Sequence, residues 1–220
     1  MILYEDADIL LAEKPVGLLS QAAAAGGDSL PARLAQQGRP VKPVHRLDRM
    51  TGGVLVYARS DRAAAALSAL VGQHDRFVKE YLAVVCGRPA RPAGVWEDLL
   101  YHDVRRNKSF VVQRPRAGVR RAVLEYTVAE TVETPQGVYS LLRIRLHTGR
   151  THQIRVQAAS RRLPLCGDAL YGGRRGCPPA LWSRRLQFPH PVTGEPVVGE
   201  SLPDTTGFPW NLFPAAAYEK

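Results

Sequence analysis

Two runs in which apolar and polar residues alternate dominate what this chain can fold into. Across 122–131, Leu124, Tyr126 and Val128 fall on one side and Val123, Glu125 and Thr127 on the other. Across 139–146, Leu142, Ile144 and Leu146 share one side, and Arg143, Arg145 and His147 the other. Successive side chains leave a pleated backbone in opposite directions, so a period of two marks a strand with one buried face. Pro135-Gln136-Gly137 lies between the runs and supplies a turn. A β-hairpin is predicted there.

The remaining elements are shorter. Strands are predicted at 3–5, 9–12, 54–58 and 81–86. Residues 13–17 read as a break, because Pro15 cannot donate to a ladder and Gly17 suits a turn. A helix is predicted at 30–37, with Asp28 or Ser29 as cap, Pro31 in its first turn and Gly38 at its end. Ser60 and Asp61 open a second helix reaching about 73, with Ala63, Leu67, Leu70 and Val71 on one face. Thr151 is placed to cap a third at 152–160. The Ala- and Gly-rich stretch 21–28 reads as a mobile loop, and 161–185, rich in Arg, Gly and Pro, as mostly loop. Gly207-Phe208-Pro209-Trp210 is aromatic enough to be expected to pack back. With 220 residues, no internal repeat and no long linker, the pattern predicts one mixed-sheet α+β domain over 1–220.

Charge points to the partner. Thirty Lys and Arg against 20 Asp and Glu give a formal charge of +10. Arg105, Arg106, Lys108, Arg114, Arg116, Arg120 and Arg121 lie between positions 103 and 125 with no acid among them. Arg143, Arg145, Arg150, Arg155, Arg161 and Arg162 form a second one-signed stretch. Two such stretches predict a positive face suited to a phosphate backbone. Cys86, Cys166 and Cys177 are odd in number and lack C-x-x-C spacing, which reads as reduced thiols rather than a disulfide framework or zinc site. The first residues carry no basic leader followed by an apolar core, and no apolar run reaches the roughly 18 residues of a membrane helix. A cytoplasmic protein is expected.

The stretch that carries chemistry is His45-Arg46-Leu47-Asp48-Arg49-Met50-Thr51-Gly52-Gly53, which runs into the apolar 54–58. An acid between arginines, ahead of a tight turn and a buried strand, is how a carboxylate is held at the rim of a cleft. On these residues alone Asp48 could equally be a turn residue or an ion-pair partner of Arg46 or Arg49. Further along stand Lys79-Glu80-Tyr81-Leu82-Ala83 and Leu146-His147-Thr148-Gly149-Arg150-Thr151-His152-Gln153-Ile154-Arg155-Val156. Pro164, Gly167-Asp168, Tyr171-Gly172, Phe188, His190-Pro191 and Thr193-Gly194 follow. In this order, over nearly the whole chain, these blocks resemble the RluA family of RNA pseudouridine synthases. Gly52 departs from the family, which usually has Ser there. The departure is expected to loosen the turn without removing a catalytic group.

The resemblance implies the pseudouridine synthase fold, a mixed, mostly antiparallel sheet with a central catalytic cleft. It implies isomerisation of uridines in structured transfer or large-subunit ribosomal RNA by a catalytic domain without the small RNA-binding domain many relatives carry in front. Asp48 is then the catalytic aspartate, Arg155 the cation that keeps it ionised, and Tyr81 the ring that stacks on the uracil and serves the C5 proton. Arg46 matches the arginine that fills the space left by a flipped nucleotide, which chemistry on a base requires. Arg150 and His152 are expected at phosphate or in the pocket, and Gly167-Asp168 with Tyr171-Gly172 as turn architecture. The basic residues Arg105, Arg106 and Lys108 are expected to contact RNA. No metal, nucleotide or redox cofactor is called for, and a monomer is expected. The sequence has no G-x-G-x-x-G, Walker, H-E-x-x-H or G-x-S-x-G motif.

Overall fold

A computed structural model describes residues 1–22, 27–173 and 176–219. Positions 23–26, the centre of the expected mobile loop, lie outside the described residues, as do 174 and 175. The chain divides into two compact units. The first comprises Met1–Glu80 and Trp182–Pro203, the second Tyr81–Leu181 and the C-terminal segment from Asp204.

The first unit is built on β1 (Ile2–Glu5), β2 (Ile9–Lys14), β4 (Gly52–Ala58) and β10 (Leu181–Pro189), in that spatial order. The two-residue β3 (Lys42–Pro43) pairs with β4, and β11 (Pro196–Glu200) pairs with β10. All pairings are antiparallel except β4 with β10. The arginines of 184 and 185 hide β10 in the sequence, yet Leu186 and Phe188 alternate with Arg185 and Gln187 as a strand requires. The described part of 161–185 is mostly loop, as expected, but its last five residues already belong to this strand, which begins at Leu181.

Helix α1 (Leu30–Gln36) starts where expected, with Ser29 accepting the Ala32 N–H at 3.3 Å. Helix α2 (Asp61–Val71) is capped by Ser60, which accepts the Ala63 N–H at 3.1 Å. Its Ala63, Leu67 and Leu70 bury against Ile9, Leu11, Val54, Val56, Phe77, Leu186 and Phe188. Truncating one of these leucines to alanine removes about 2–5 kcal/mol, because a close-packed core collapses only partly around the void. His190, from the last sequence block, holds this unit's edge. Its Nδ1 accepts the Val192 and Thr193 N–H groups at 3.3 and 3.1 Å, so Nε2 carries the proton and donates to Asp6 at 3.0 Å.

The second unit's sheet runs β5-β9-β8-β6-β7. Its strands are β5 (Val78–Cys86), β6 (Ala93–Asp103), β7 (Lys108–Val112), β8 (Val119–Thr134) and β9 (Gly137–Leu146). The predicted hairpin is β8–β9, antiparallel from Leu124↔Leu146 to Thr134↔Gly137 with one irregularity between Val128 and Glu130. A second hairpin, β6–β7, forms within the basic stretch, and β8 begins at Val119 rather than 122. Helix α3 (Gln153–Ser160) packs Val156 against Leu100 and Ala122. Thr151 does not cap it. The N-cap is His152, held in the left-handed region at φ 55° with no side-chain cap bond. The tail packs back as expected, with Phe208 edge-on to Tyr139 at 5.8 Å and a short 3-10 turn, Trp210–Leu212, before α4 (Ala216–Glu219).

Candidate active site

Asp48 sits in a half-buried turn immediately before β4, closed by the Thr51 N–H donating to the Asp48 carbonyl at 3.0 Å. The turn is clasped to the loop after β2. Ser20 Oγ donates to the Leu47 carbonyl at 2.8 Å and accepts the Leu47 N–H at 3.0 Å. The Gly17 N–H donates to the Arg49 carbonyl, and Arg49 Nε returns a bond to the Gly17 carbonyl, each at 2.9 Å. The Tyr57 hydroxyl, deep in β4, donates to the Ser20 carbonyl at 3.0 Å.

Lys14 completes the clasp, and sequence reasoning missed it. Its side chain is fully buried, and Nζ donates to the carbonyls of Pro15, Leu18 and Arg49 at 2.9, 2.8 and 3.1 Å. Three acceptors take all three N–H bonds of an ammonium, one more than a neutral amine offers. Burial draws the group down to about 8, while the Asp48 carboxylate acts in the opposite direction. Lys14 is thus a resident positive charge beside Asp48. Its acceptors lie at positions 15, 18 and 49, a pattern with no local signature. His45 fixes the other flank, its Nε2 accepting the Val56 N–H at 3.1 Å. Burial, with the Lys79 ammonium adding to it, pushes this imidazole down to about 3.

The glycines after the turn are required by close approach. A Cβ on Gly53, at φ +108°, would lie 2.1 Å from the Ser183 carbonyl oxygen. At Gly52 a Cβ would lie 2.2 Å from the Trp182 ring. The expectation that Gly52 loosens the turn is corrected: it is a fully buried strand residue that makes room for an indole. That indole is itself tied down, Nε1 donating to the Ser201 carbonyl and Oγ at 3.2 and 3.1 Å.

Tyr81, Arg150, His152 and Arg155 belong to the second unit. Tyr81 is buried in β5. Arg155, on α3, makes a buried two-pronged pair with Asp168, Nε at 2.6 Å and Nη2 at 2.8 Å from the carboxylate oxygens. Asp168 is completely buried and is more than turn architecture. A polar residue within a Gly- and Pro-rich segment gave no hint of a partner 13 positions earlier. The Arg155 guanidinium also lies over the Tyr171 ring, 5.2 Å from its centroid. His152 Nδ1 meets the Tyr171 hydroxyl at 3.0 Å. Arg150 is exposed, its Nε donating to the Arg121 carbonyl at 3.1 Å.

Lys108 joins this cluster, with Nζ 5.2 Å from the Tyr171 centroid. Arg105 and Arg106 do not. They occupy the exposed tip of the β6–β7 hairpin, Arg106 donating its N–H to Asp103 at 3.1 Å. Arg46, in the first unit, is exposed beside Asp48. Folding also supplies acids that the local sequence lacks. Glu97 from β6 pairs with Arg121 at 2.6 and 2.8 Å, and Asp98 with Arg161 at 2.8 Å. The positive surface is accordingly narrower than a count along the chain suggests.

Residues 8–160 match the family model for RNA pseudouridylate synthase. Ribosomal large subunit pseudouridine synthase D of Zymomonas mobilis is 33% identical over 218 residues, covering 89% of this chain and 67% of that protein. The protein of the same name from Xanthomonas campestris is 34% identical over 220 residues, covering 89% of this chain and 63% of its own length. That of Pseudomonas aeruginosa is 33% identical over 235 residues, with 96% and 70% covered. This chain therefore spans about two thirds of the length of these curated relatives. Among solved structures, human RNA pseudouridylate synthase domain containing 1 superposes with a TM-score of 0.78 at 22% identity, covering 93% of this chain and 83% of that one. The human domain containing 4 gives 0.72 at 25%, with 92% and 88% covered. These likenesses show the fold.

Proposed function

The chain belongs to the RNA pseudouridylate synthase family, and from that premise we propose that it isomerises uridine to pseudouridine in structured RNA with Asp48 as its essential carboxylate. The observation that carries the reading is the Asp48 turn, clasped through Leu47, Arg49 and buried Lys14 at the head of the fully buried β4. Such a mount holds a carboxylate in a fixed place and surrounds it with positive charge. That holds the carboxylate in place for attack.

In the proposed reaction the N1–C1′ bond breaks, the freed base turns, and C5 bonds to C1′. The C5 proton leaves and N1 takes one up, so atoms and oxidation state are conserved and no metal or carrier is called for. Arg155 is assigned the role of keeping Asp48 ionised, with Tyr81 stacking on the base and serving the C5 proton. Arg46 is assigned to the vacancy left by the flipped nucleotide, since a guanidinium can stack as well as bind phosphate. Arg150, His152, Arg105, Arg106 and Lys108 are assigned to RNA contacts. Residues 1–220 act as one catalytic domain in this reading, as a monomer in the cytoplasm. No helix among the described residues is long and apolar enough to cross a membrane. The relatives are named for the large ribosomal subunit, which makes its RNA the first substrate to test and transfer RNA the second.

The test is tritium release from RNA labelled at uridine C5, measured together with RNA binding. Wild-type protein is expected to release tritium and Asp48→Ala to release none while still binding. A wild-type protein that binds RNA without release would replace the reading with that of an RNA-binding module. Neutralising Arg105, Arg106 and Lys108 together should flatten the plot of log affinity against log salt by about 0.7–0.9 per lost phosphate contact. An unchanged slope would assign the hairpin tip to solubility alone.

A further inference from the structure

Tyr171 has no part in the reaction as proposed, yet it touches three residues given roles there, Arg155, His152 and Lys108. It ends the 3-10 turn Ala169–Tyr171, which begins at Asp168. The Asp168 carbonyl accepts the Tyr171 and Gly173 N–H groups at 3.1 and 2.8 Å. A Cβ on Gly173 would lie 2.1 Å from the Leu165 carbonyl oxygen and 2.6 Å from the Asp168 nitrogen, so the turn is packed backbone against backbone. One rigid turn thus grips one guanidinium twice. Asp168 takes its edge and Tyr171 lies 5.2 Å from it, centroid to Cζ.

The hydroxyl ties the same turn elsewhere. It accepts the Ser109 N–H at 2.8 Å, leaving its own proton for His152 Nδ1 at 3.0 Å. Burial pushes this phenol above its ordinary range, so the proton stays on at neutral pH. Ser109 follows Lys108 at the start of β7, and its Oγ donates to the Thr151 carbonyl at 2.6 Å, two residues before α3. The Lys108 ammonium lies 5.2 Å from the Tyr171 centroid and 5.7 Å from that of Phe110. A ring face attracts a cation through its quadrupole, most strongly where water is excluded.

We infer that Tyr171 is a positioning residue: its ring sets the Arg155 guanidinium, and its hydroxyl locks that setting to the strand bearing Lys108. The inference rests on the role proposed for Arg155. It makes RNA contact at Lys108 and the orientation of Arg155 parts of one mechanical assembly rather than separate features.

Four proteins decide it: wild type, Arg155→Ala, Tyr171→Leu and Tyr171→Phe, each assayed for tritium release against RNA concentration and for melting temperature. Tyr171→Leu is expected to lower kcat at least about tenfold with KM changed by less than about threefold, because a guanidinium that has lost its setting serves the chemical step rather than RNA binding. Tyr171→Phe keeps the ring and should recover most of that loss. A merely structural tyrosine would shift melting and leave kcat per folded molecule unchanged. Should Tyr171→Leu fail to fold, Tyr171→Met fills the space without a π face and takes its place. A wild-type kcat in the aliphatic variant, or a phenylalanine variant as slow as the aliphatic one, overturns the inference. If wild type is silent, or Arg155→Ala runs at the wild-type rate, the underlying reading fails and the inference falls with it. An inactive Arg155→Ala beside a normal Tyr171→Leu sinks the inference alone.

Discussion

The segment carrying Asp48 and the residue Arg155 are fastened in opposite ways. The first is held through main-chain atoms. The carbonyls of Leu47 and Arg49 and the amide of Leu47 are bonded to Ser20, Gly17 and Lys14, and the Asp48 side chain takes no part in those bonds. The second is held by side chains, a guanidinium between the Asp168 carboxylate and the Tyr171 ring. Main-chain fastening lets a carboxylate react without releasing its mount. Side-chain fastening makes orientation and stability the same interaction. Chemistry and folding should therefore separate in the first region and stay joined in the second.

The largest expected effect tests that separation directly. Asp48→Asn should abolish turnover while losing less stability in urea than Asp168→Ala, because the main-chain bonds of the turn survive the change and only the charge beside buried Lys14 is lost. Asp168→Ala should remove about 3–5 kcal/mol, since it leaves the Arg155 charge buried without its two-pronged partner. The comparison breaks if Asp48→Asn is the less stable of the two.

How much of this was legible in the sequence follows the same divide. The Asp48 turn could be read because its parts are neighbours: an acid, a turn and a strand within fourteen positions. The β8–β9 hairpin was legible because a period of two persists through both strands. Ser29 and Ser60 gave away their helices because capping is a local bond. The cap at Thr151 failed because His152 takes the left-handed conformation, which local pattern does not forbid a histidine. The hairpin β6–β7 was hidden behind its own charges, although Trp96 and Leu100 bury on alternating positions. Lys14, Asp168 and Tyr171 could not be read, since each depends on a partner brought near only by the fold. Motif order carried the family, and tertiary contacts carry the support of its residues.

A smaller effect is expected at Gly52, where the first region depends on space rather than on bonds. Serine there must push the Trp182 indole away from its two bonds to Ser201. Overpacking of this kind costs about 1–3 kcal/mol. Trp182→Leu should make room and recover part of the loss when combined with Gly52→Ser, a coupling that a double-mutant cycle measures. Strictly additive effects would mean that the glycine serves something other than the indole.

The last expected effect concerns pH and the histidine that flanks the Asp48 turn. In the folded protein the His45 imidazole is held down to about 3 from an ordinary 6.5, with Nε2 accepting the Val56 N–H. Between those values the unfolded chain binds a proton that the folded chain refuses. Stability therefore rises with pH across that window. The contribution is full above about 6.5 and is lost as pH falls towards 3. One proton changes the slope by at most about 1.4 kcal/mol per pH unit. His45→Gln can still accept the Val56 amide through its side-chain oxygen but does not titrate. Urea unfolding from pH 4.5 to 7.5 should then give a flatter stability curve for His45→Gln than for wild type, the two differing most at the acid end. Parallel curves would show that His45 takes up its proton without disturbing the turn. Main-chain fastening would then be sufficient by itself to hold Asp48.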